Sequence, residues 1–249
     1  MKRLSLILCL LLAAACSQAQ VRKYGVKVVK EYPHLESSYT QGLFFHDGVL
    51  YESTGGHGGS GLGTVDLATG EPIVWRKLAR KYFGEGSVIL DGDLYMLTWT
   101  NKVAFRYDAA TLTYKATYSY PREGWGLTTD GRELIASDGS AHLYFMDAEL
   151  KVKRKVLVTA NGKPLRNLNE LEWIDGKVWA NVYLTDLIVI INPESGKVEG
   201  AVNCTGLLPQ ELQRPTTDVL NGIAVDDKGQ IFLTGKNWPR MYQIELVRK

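Results

Sequence analysis

The sequence has few cysteines, no excess of charge of one sign, and no long apolar run after its first residues. Its three cysteines are Cys9, Cys16 and Cys204, and no two of them have the Cys-x-x-Cys spacing. Cys9 and Cys16 belong to an N-terminal apolar segment, so Cys204 has no partner in the rest of the chain. This excludes a disulfide scaffold and a zinc ribbon. We expect Cys204 to be a small, buried hydrophobic residue.

The charge balance excludes a strongly basic protein. The chain has 29 Lys and Arg residues and 27 Asp and Glu residues, and Lys2 and Arg3 account for the difference. Proteins that bind nucleic acid usually have a basic excess or a basic stripe, so we expect no nucleic-acid partner. No later apolar run is long enough to span a membrane.

The first 19 residues have the layout of an export signal. Two basic residues precede an apolar run over 4–15, which is too short for a permanent membrane helix, and small residues follow it. We therefore expect an exported protein of the bacterial periplasm.

Two cleavage sites are compatible with this signal, and the choice between them decides whether the protein has a lipid anchor. A lipoprotein signal would be cut before Cys16, which would then be lipidated, although Ala13 stands where leucine is preferred. Ordinary signal peptidase would cut after Ala19. We favour the lipoprotein, and we assign residues 20–249 to one catalytic domain.

Five copies of one pattern indicate the fold. Each copy is an apolar strand, a turn that begins with Asp, and a second apolar strand that ends near Ser, Thr, Asn or Gly. The copies are GLFFHDGVLYESTG from Gly42, GSVILDGDLYMLTW from Gly86, GLTTDGRELIASDG from Gly126, ELEWIDGKVWANVY from Glu170 and GIAVDDKGQIFLTG from Gly222. The turn aspartates are 44, 39, 45 and 51 residues apart, which is the length of a four-stranded propeller blade.

These repeats predict an all-β fold, a five-bladed β-propeller. Asp-Gly between apolar strands is a strong hairpin signal, because type I′ turns require positive φ angles. The fifth copy lacks an outer strand, and we expect the segment from Tyr24 to supply it and so to close the ring. The alternative is a β-sandwich with coincidental turns, which five copies of one phrase argue against.

In a propeller, the starts of the first strands and the ends of the second strands lie at the same mouth of the central channel. Unusual side chains are concentrated in these positions, among them Glu85 between two glycines, Lys236, and several tryptophans. Buried charges of this kind need partners or a task. Each residue also has a purely structural interpretation, because the tryptophans could pack between blades and Asp138 and Asn181 could cap strand ends.

The sequence contains none of the common motifs of metalloproteases, serine hydrolases or nucleotide-binding enzymes. The four histidines show no HExxH motif, and there is no GxSxG motif and no P-loop. We therefore expect no cofactor and no catalytic metal, although channel carbonyls and Asp138 are compatible with a structural cation.

The sequence resembles the glutaminyl-peptide cyclotransferases of the plant and bacterial propeller type. The matching phrases are YTQGLFF, LYESTG, GEG, LTW, EGWGLTTDG, SDG, LNELE, AN, LNGIAVD and TGKNWP, in family order. The resemblance implies a five-bladed propeller and an acyltransferase of the aminoacyltransferase class. Its reaction converts the N-terminal glutamine of a peptide or protein to pyroglutamate and releases ammonia. It also implies a metal-independent reaction, and we expect the enzyme to act as a monomer.

The resemblance also implies the site residues. Glu85 corresponds to the general acid and base, and Asn169 and Lys236 correspond to further catalytic positions. The substrate-binding positions are Tyr39, Gln41, Phe83, Trp99, Trp125 and Tyr183. Three aromatic positions depart from the family pattern, since Tyr39 replaces Phe, Tyr183 replaces Trp and His57 replaces Tyr.

Two other functions are compatible with the residues alone. One is a calcium-dependent propeller hydrolase similar to lactonases, with Glu85, Asn169 and Asn221 as ligands, although such enzymes usually have six blades. The other is a non-enzymatic propeller that binds a peptide or a glycan at its aromatic mouth.

Overall fold

The computed structural model describes residues 20–249, so the export signal and both cleavage sites lie outside the described residues. Residues 20–249 are mainly β-strand, and the helical structure among them is one 3-10 turn, Gln210–Leu212. No helix in this part of the chain is long and apolar enough to cross a membrane.

The chain begins with a long strand and then forms three antiparallel sheets of four consecutive strands each. The long strand is β1 (Arg22–Pro33). The first sheet contains β2 (Thr40–His46), β3 (Val49–Thr54), β4 (Gly61–Val65) and β5 (Pro72–Lys77). The second contains β6 (Gly84–Leu90), β7 (Asp93–Thr98), β8 (Val103–Asp108) and β9 (Tyr114–Ser119). The third contains β10 (Leu127–Thr129), β11 (Leu134–Ala136), β12 (His142–Met146) and β13 (Val152–Leu157).

The remaining strands form a short hairpin and one sheet of eight strands. The hairpin pairs β14 (Thr159–Ala160) with β15 (Lys163–Pro164). The large sheet contains β16 (Leu168–Ile174), β17 (Lys177–Val182), β18 (Leu187–Ile191), β19 (Val198–Asn203), β20 (Leu220–Val225), β21 (Ile231–Gly235) and β22 (Arg240–Arg248). Its strand order is β16-β17-β18-β19-β1-β22-β21-β20, so it consists of two four-stranded units joined between β19 and β1.

The five four-stranded units are arranged in a ring, as the repeats predicted. The innermost strand of each unit contacts the innermost strand of the next, in the order β2, β6, β10, β16, β20 and back to β2. Hydrophobic clusters fill the spaces between neighbouring units, with Leu62 and Met96 between the first two as an example. The predicted all-β propeller is therefore confirmed, and Cys204 is buried in one of these clusters.

The predicted closure of the ring by the N-terminal strand is also confirmed. β1 pairs antiparallel with β22, from Tyr24 opposite Arg248 to Pro33 opposite Arg240. The beginning of β1 also pairs in parallel with β19, which the sequence analysis did not predict. One strand thus completes the fifth unit and connects it by hydrogen bonds to the fourth.

Three of the five predicted turns have the expected type I′ conformation. Asp47, Asp91 and Asp175 have φ angles of 49°, 51° and 49°, and a glycine with positive φ follows each of them. The turns at Asp130 and Asp226 are longer loops, in which the aspartate side chain accepts hydrogen bonds from backbone N–H groups. The Asp signal therefore located all five turns but gave the wrong turn type at two of them.

Candidate active site

A cavity of about 190 Å³ opens at the mouth where the innermost strands begin. It is lined by Tyr39, Gln41, Phe83, Glu85, Trp99, Trp125, Asn169, Tyr183 and Lys236. These are the nine residues selected from the sequence, and all five units contribute to them. The structure thus brings together side chains that are up to 197 positions apart in the chain.

Irregularities in the strands place the polar groups of this cavity. Four innermost strands have one more residue than their partner near the mouth: between Thr40 and Gly42, between Gly84 and Ser87, between Leu168 and Leu171, and between Leu220 and Ile223. Such β-bulges redirect side chains and are frequent beside active sites. The bulged segments contain Gln41, Glu85, Asn169 and Asn221.

Glycines beside the cavity allow neighbouring innermost strands to approach closely. A Cβ atom on Gly86 would collide with the backbone of Leu127, and one on Gly126 would collide with the carbonyl of Asn169. A larger residue would push the innermost strands apart. The cavity therefore depends on glycine beside the residues that line it.

Glu85 is the carboxyl group of the cavity and is only 4 % exposed. Burial raises its pKa well above the usual value, the nearby charge of Lys236 opposes this, and Glu123 adds to it. A carboxyl group with a raised pKa can exchange protons near neutral pH.

Lys236 is 3 % exposed and lies beside two aromatic rings. Its Nζ atom is 4.7 Å from the centroid of the Tyr39 ring and 4.9 Å from that of the Tyr183 ring, which are cation–π distances. Burial lowers the pKa of Lys236, while the negative charges of Glu85 and Asp218 favour its charged form. The cavity thus contains a cation whose neighbours are mainly aromatic.

Asp218 supports this cation from the side, and the sequence analysis did not select it. Its Oδ2 atom accepts a 2.9 Å hydrogen bond from the Tyr39 hydroxyl. Burial and this bond raise the pKa of Tyr39, so the tyrosine is held neutral against Lys236. Asp218 precedes the fifth repeat in an irregular connection, where no repeated phrase marks it.

The aromatic wall of the cavity is organised by Glu123, which was also not selected. Its Oε2 atom accepts hydrogen bonds from the indole Nε1 of Trp99 at 2.9 Å and of Trp125 at 3.1 Å. Trp99 packs edge-on against Phe83, and Trp125 packs edge-on against Tyr183. One carboxylate therefore connects the two halves of the wall.

Two amides complete the polar lining. The Oε1 atom of Gln41 accepts a 3.3 Å hydrogen bond from Asn221. Within residues 20–249, the buried Oδ1 atom of Asn169 has no hydrogen-bond partner. Buried polar atoms without partners are rare away from functional sites, so Asn169 is available to a ligand.

Asp138 and Asn181 have a structural role, which is to bind backbone N–H groups near strand ends. Asp138 accepts a hydrogen bond from the N–H of Ser140, and Asn181 accepts one from the N–H of Gly222. Neither lines the cavity. In the part of the chain that the structure describes, no group of three or more His, Cys, Asp or Glu side chains could hold a metal ion.

Two further carboxyl groups lie deeper in the channel. Glu170 accepts hydrogen bonds from the backbone N–H groups of Leu43 and Ile223, on two other innermost strands. Glu172 accepts one from Val225 N–H and one from the Thr128 hydroxyl. Burial raises the pKa of Glu172 to about 8 and raises that of Glu170 as well. These carboxyl groups connect the blades across the channel.

A buried histidine supports the segment that carries Tyr39 and Gln41. The Nε2 atom of His34 is 3.1 Å from Oε1 of Glu52, and its Nδ1 atom is 2.7 Å from the carbonyl of Trp238. The hydroxyl of Thr40 donates to the same Glu52 oxygen at 2.7 Å. This cluster joins the end of β1, the start of β2 and the chain after Lys236.

Comparison with known proteins shows that the chain belongs to the glutamine cyclotransferase family. The sequence model of the glutamine cyclotransferase family matches residues 3–246. A glutaminyl-peptide cyclotransferase from Arabidopsis thaliana is 42 % identical over 227 residues, which are 89 % of this chain and 71 % of that protein. The crystal structure of Myxococcus xanthus glutaminyl cyclase matches with a TM-score of 0.86 and 33 % identity, over 92 % of this chain and 100 % of the other.

Proposed function

Because the chain belongs to the glutamine cyclotransferase family, we propose that it converts the N-terminal glutamine of peptides or proteins to pyroglutamate and releases ammonia. One observation supports the proposal beyond family membership. A buried carboxyl group, a buried lysine, an asparagine whose Oδ1 atom has no hydrogen-bond partner among residues 20–249, and an aromatic wall line the same cavity.

The reaction is intramolecular. The α-amine nitrogen of the glutamine forms a bond to its own side-chain carbonyl carbon, and the bond from that carbon to the carboxamide nitrogen breaks. One proton passes from the amine to the departing nitrogen, which leaves as ammonia. Because both reacting groups belong to one residue, the enzyme has to hold that residue in a curled conformation rather than bring two molecules together.

Glu85 is the group that transfers this proton. Its carboxylate takes a proton from the amine as the ring closes and gives it to the nitrogen that leaves. The raised pKa of Glu85 makes its ionised form a stronger base and keeps its protonated form available as an acid near neutral pH. A fully exposed carboxyl group would be too weak a base for the first step.

Lys236 and the side-chain N–H group of Asn169 stabilise the oxygen of the carboxamide as it becomes negative. A cation in an aromatic, poorly hydrated setting interacts with a developing charge more strongly than it would in water. The amide of Asn169 and the amide of Gln41 bind the polar ends of the substrate head. The cavity of about 190 Å³ is smaller than the roughly 300–1,000 Å³ of most small-molecule pockets, which supports a substrate head of a single residue.

The reaction proceeds without a catalytic metal ion in this proposal. Every proton transfer is assigned to Glu85, and the positive charge is supplied by Lys236. We expect activity to be unchanged after treatment with a strong chelator, and a loss of activity that added metal restores would contradict this assignment.

Mass spectrometry of a peptide with N-terminal glutamine tests the function. Wild-type protein is expected to remove the mass of one ammonia, and Glu85→Gln is expected to lose nearly all of this activity. The same peptide with an acetylated α-amine is the substrate control, because it has no nucleophile. Glu149→Gln is the matched variant, because Glu149 lies exposed in the turn between β12 and β13. Failure of the wild type would refute the function, and full activity of Glu85→Gln would refute the role of Glu85.

We also propose that the protein is exported to the periplasm as a monomer that is anchored by a lipid on Cys16. The basic start and the short apolar run of residues 1–19 support export. Cys16→Ser is expected to move the protein from the membrane fraction to the soluble fraction, and an unchanged distribution would favour cleavage after Ala19. Light scattering of the purified domain tests the monomer.

A further inference from the structure

We propose that Glu123 is a specificity-determining residue that selects the substrate residue following the N-terminal glutamine. It does so by fixing Trp99 and Trp125, which form the rim of the cavity, and by placing a negative charge between them. This inference rests on the proposed cyclase function, and it goes beyond it because it concerns a part of the substrate that does not react.

Trp99 and Trp125 share one hydrogen-bond acceptor. Both indole N–H groups, of Trp99 and of Trp125, donate to the same oxygen of Glu123. Trp99 is 38 % exposed, so its contact with Phe83 covers only part of the ring. Hydrogen bonds to a charged acceptor are stronger than those to a neutral one, so Glu123 sets the orientation of both rings.

The segment that carries Glu123 is fixed by its backbone contacts. The N–H of Gly124 donates to the carbonyl of Thr98 at 3.0 Å, and a Cβ atom on Gly124 would collide with Leu97 and Thr98. The neighbouring side chain, Arg122, is directed elsewhere, with its guanidinium 4.5 Å from the centroid of the Tyr144 ring. Glu123 is thus held in place and is not neutralised by the cation beside it.

Glu123 and the two tryptophans lie on the path by which the peptide leaves the cavity. With the glutamine head between Glu85 and Lys236, which are both buried, the next residue of the peptide leaves the cavity past the exposed rim. The second oxygen of Glu123 and the faces of the two indoles are the groups that it meets there. A carboxylate beside indole faces favours a Lys or Arg side chain and repels Asp or Glu.

The test compares kcat/KM for three peptides that differ only in their second residue: Gln-Lys, Gln-Ala and Gln-Glu. Wild-type enzyme is expected to prefer Gln-Lys over Gln-Glu by roughly two- to five-fold, the effect of one exposed charge pair, and added salt should reduce this ratio. In Glu123→Gln the ratio should fall to about one, because an amide oxygen still accepts the indole bonds but has no charge. Glu149→Gln serves as the control for a change in net charge and should keep the wild-type ratio.

A spectroscopic measurement separates positioning from charge. Glu123→Ala removes the shared acceptor, so it should change the near-UV circular dichroism of the tryptophans and lower kcat/KM for all three peptides by about tenfold. Glu123→Gln should retain the wild-type spectrum. Thermal unfolding of both variants shows whether they are folded.

Each outcome bears on one part of the proposal. An unchanged Lys-to-Glu ratio in Glu123→Gln would overturn the role of the charge, and an unchanged spectrum in Glu123→Ala would overturn the positioning of the tryptophans. If wild-type protein cyclises none of the peptides, the proposed function fails, whereas the spectra still test the connection between the two indoles.

Discussion

Replacing Glu172 with glutamine should stabilise the protein at alkaline pH and leave it nearly unchanged at acidic pH. Glu172 is buried in the channel, where it accepts hydrogen bonds from Val225 N–H and from the Thr128 hydroxyl. Its pKa is raised to about 8, from 4.5 for an ordinary glutamate, mainly because burial disfavours the charged form. Glutamine has the same shape and can retain both contacts, but it does not ionise.

The direction in which the stability of the wild type changes with pH follows from the two pKa values of Glu172. A group with a raised pKa in the folded state contributes stability that is fully present below the unfolded value, near pH 4.5, and is lost as the pH rises through the folded value, near pH 8. The difference of 3.5 between these values corresponds to about 5 kcal/mol at roughly 1.4 kcal/mol for each pKa unit. This is the largest benefit that Glu172→Gln can give.

Urea denaturation at about pH 4, below the unfolded value, and at about pH 10 measures this benefit. At the lower pH we expect the two free energies of unfolding to agree within about 1 kcal/mol, and at the higher pH the variant should be more stable by several kcal/mol. A shift of about 2–4 °C in Tm for each kcal/mol makes the same difference visible by thermal unfolding. Glu149→Gln controls for net charge, and the same wild-type-to-variant difference at both pH values would refute the reasoning.

Three more changes test the supports of the cavity. Asp218→Asn removes a negative charge that favours the protonated form of Lys236, so the alkaline limb of the pH profile of kcat/KM should move to lower pH. If the limb does not move, deprotonation of Lys236 is not the cause of that limb. Glu52→Ala leaves the buried ring of His34 without its carboxylate and should cost about 3 kcal/mol or more in urea denaturation, and a loss below about 1 kcal/mol would contradict the importance of this pair. Gly139→Ala places a Cβ atom at a residue with a φ of +74° and against the indole of Trp125, so both stability and kcat/KM should fall. Wild-type values of both would show that Trp125 can move without loss of function.

The sequence by itself determined the fold and the mouth of the channel at which the candidate site lies. Repeated strand and turn signals are local, because alternating apolar residues and Asp-containing turns act over a few positions, and five copies of them predicted the ring and its closure from Tyr24. The strand directions then placed Glu85 and Lys236 at the same mouth. The assignment of all nine lining residues needed the family resemblance in addition.

The tertiary structure alone decided the contacts between blades. The bulges that direct Gln41 and Asn169 into the cavity depend on the register between strands, which a single strand does not encode. Glu123 and Asp218 were missed for the same reason, since each acts on side chains that other segments supply. The parallel pairing of β1 with β19 likewise appears only when the fourth and fifth blades lie side by side. Local patterns specify strands and turns, whereas hydrogen bonds between distant segments exist only after those strands are packed.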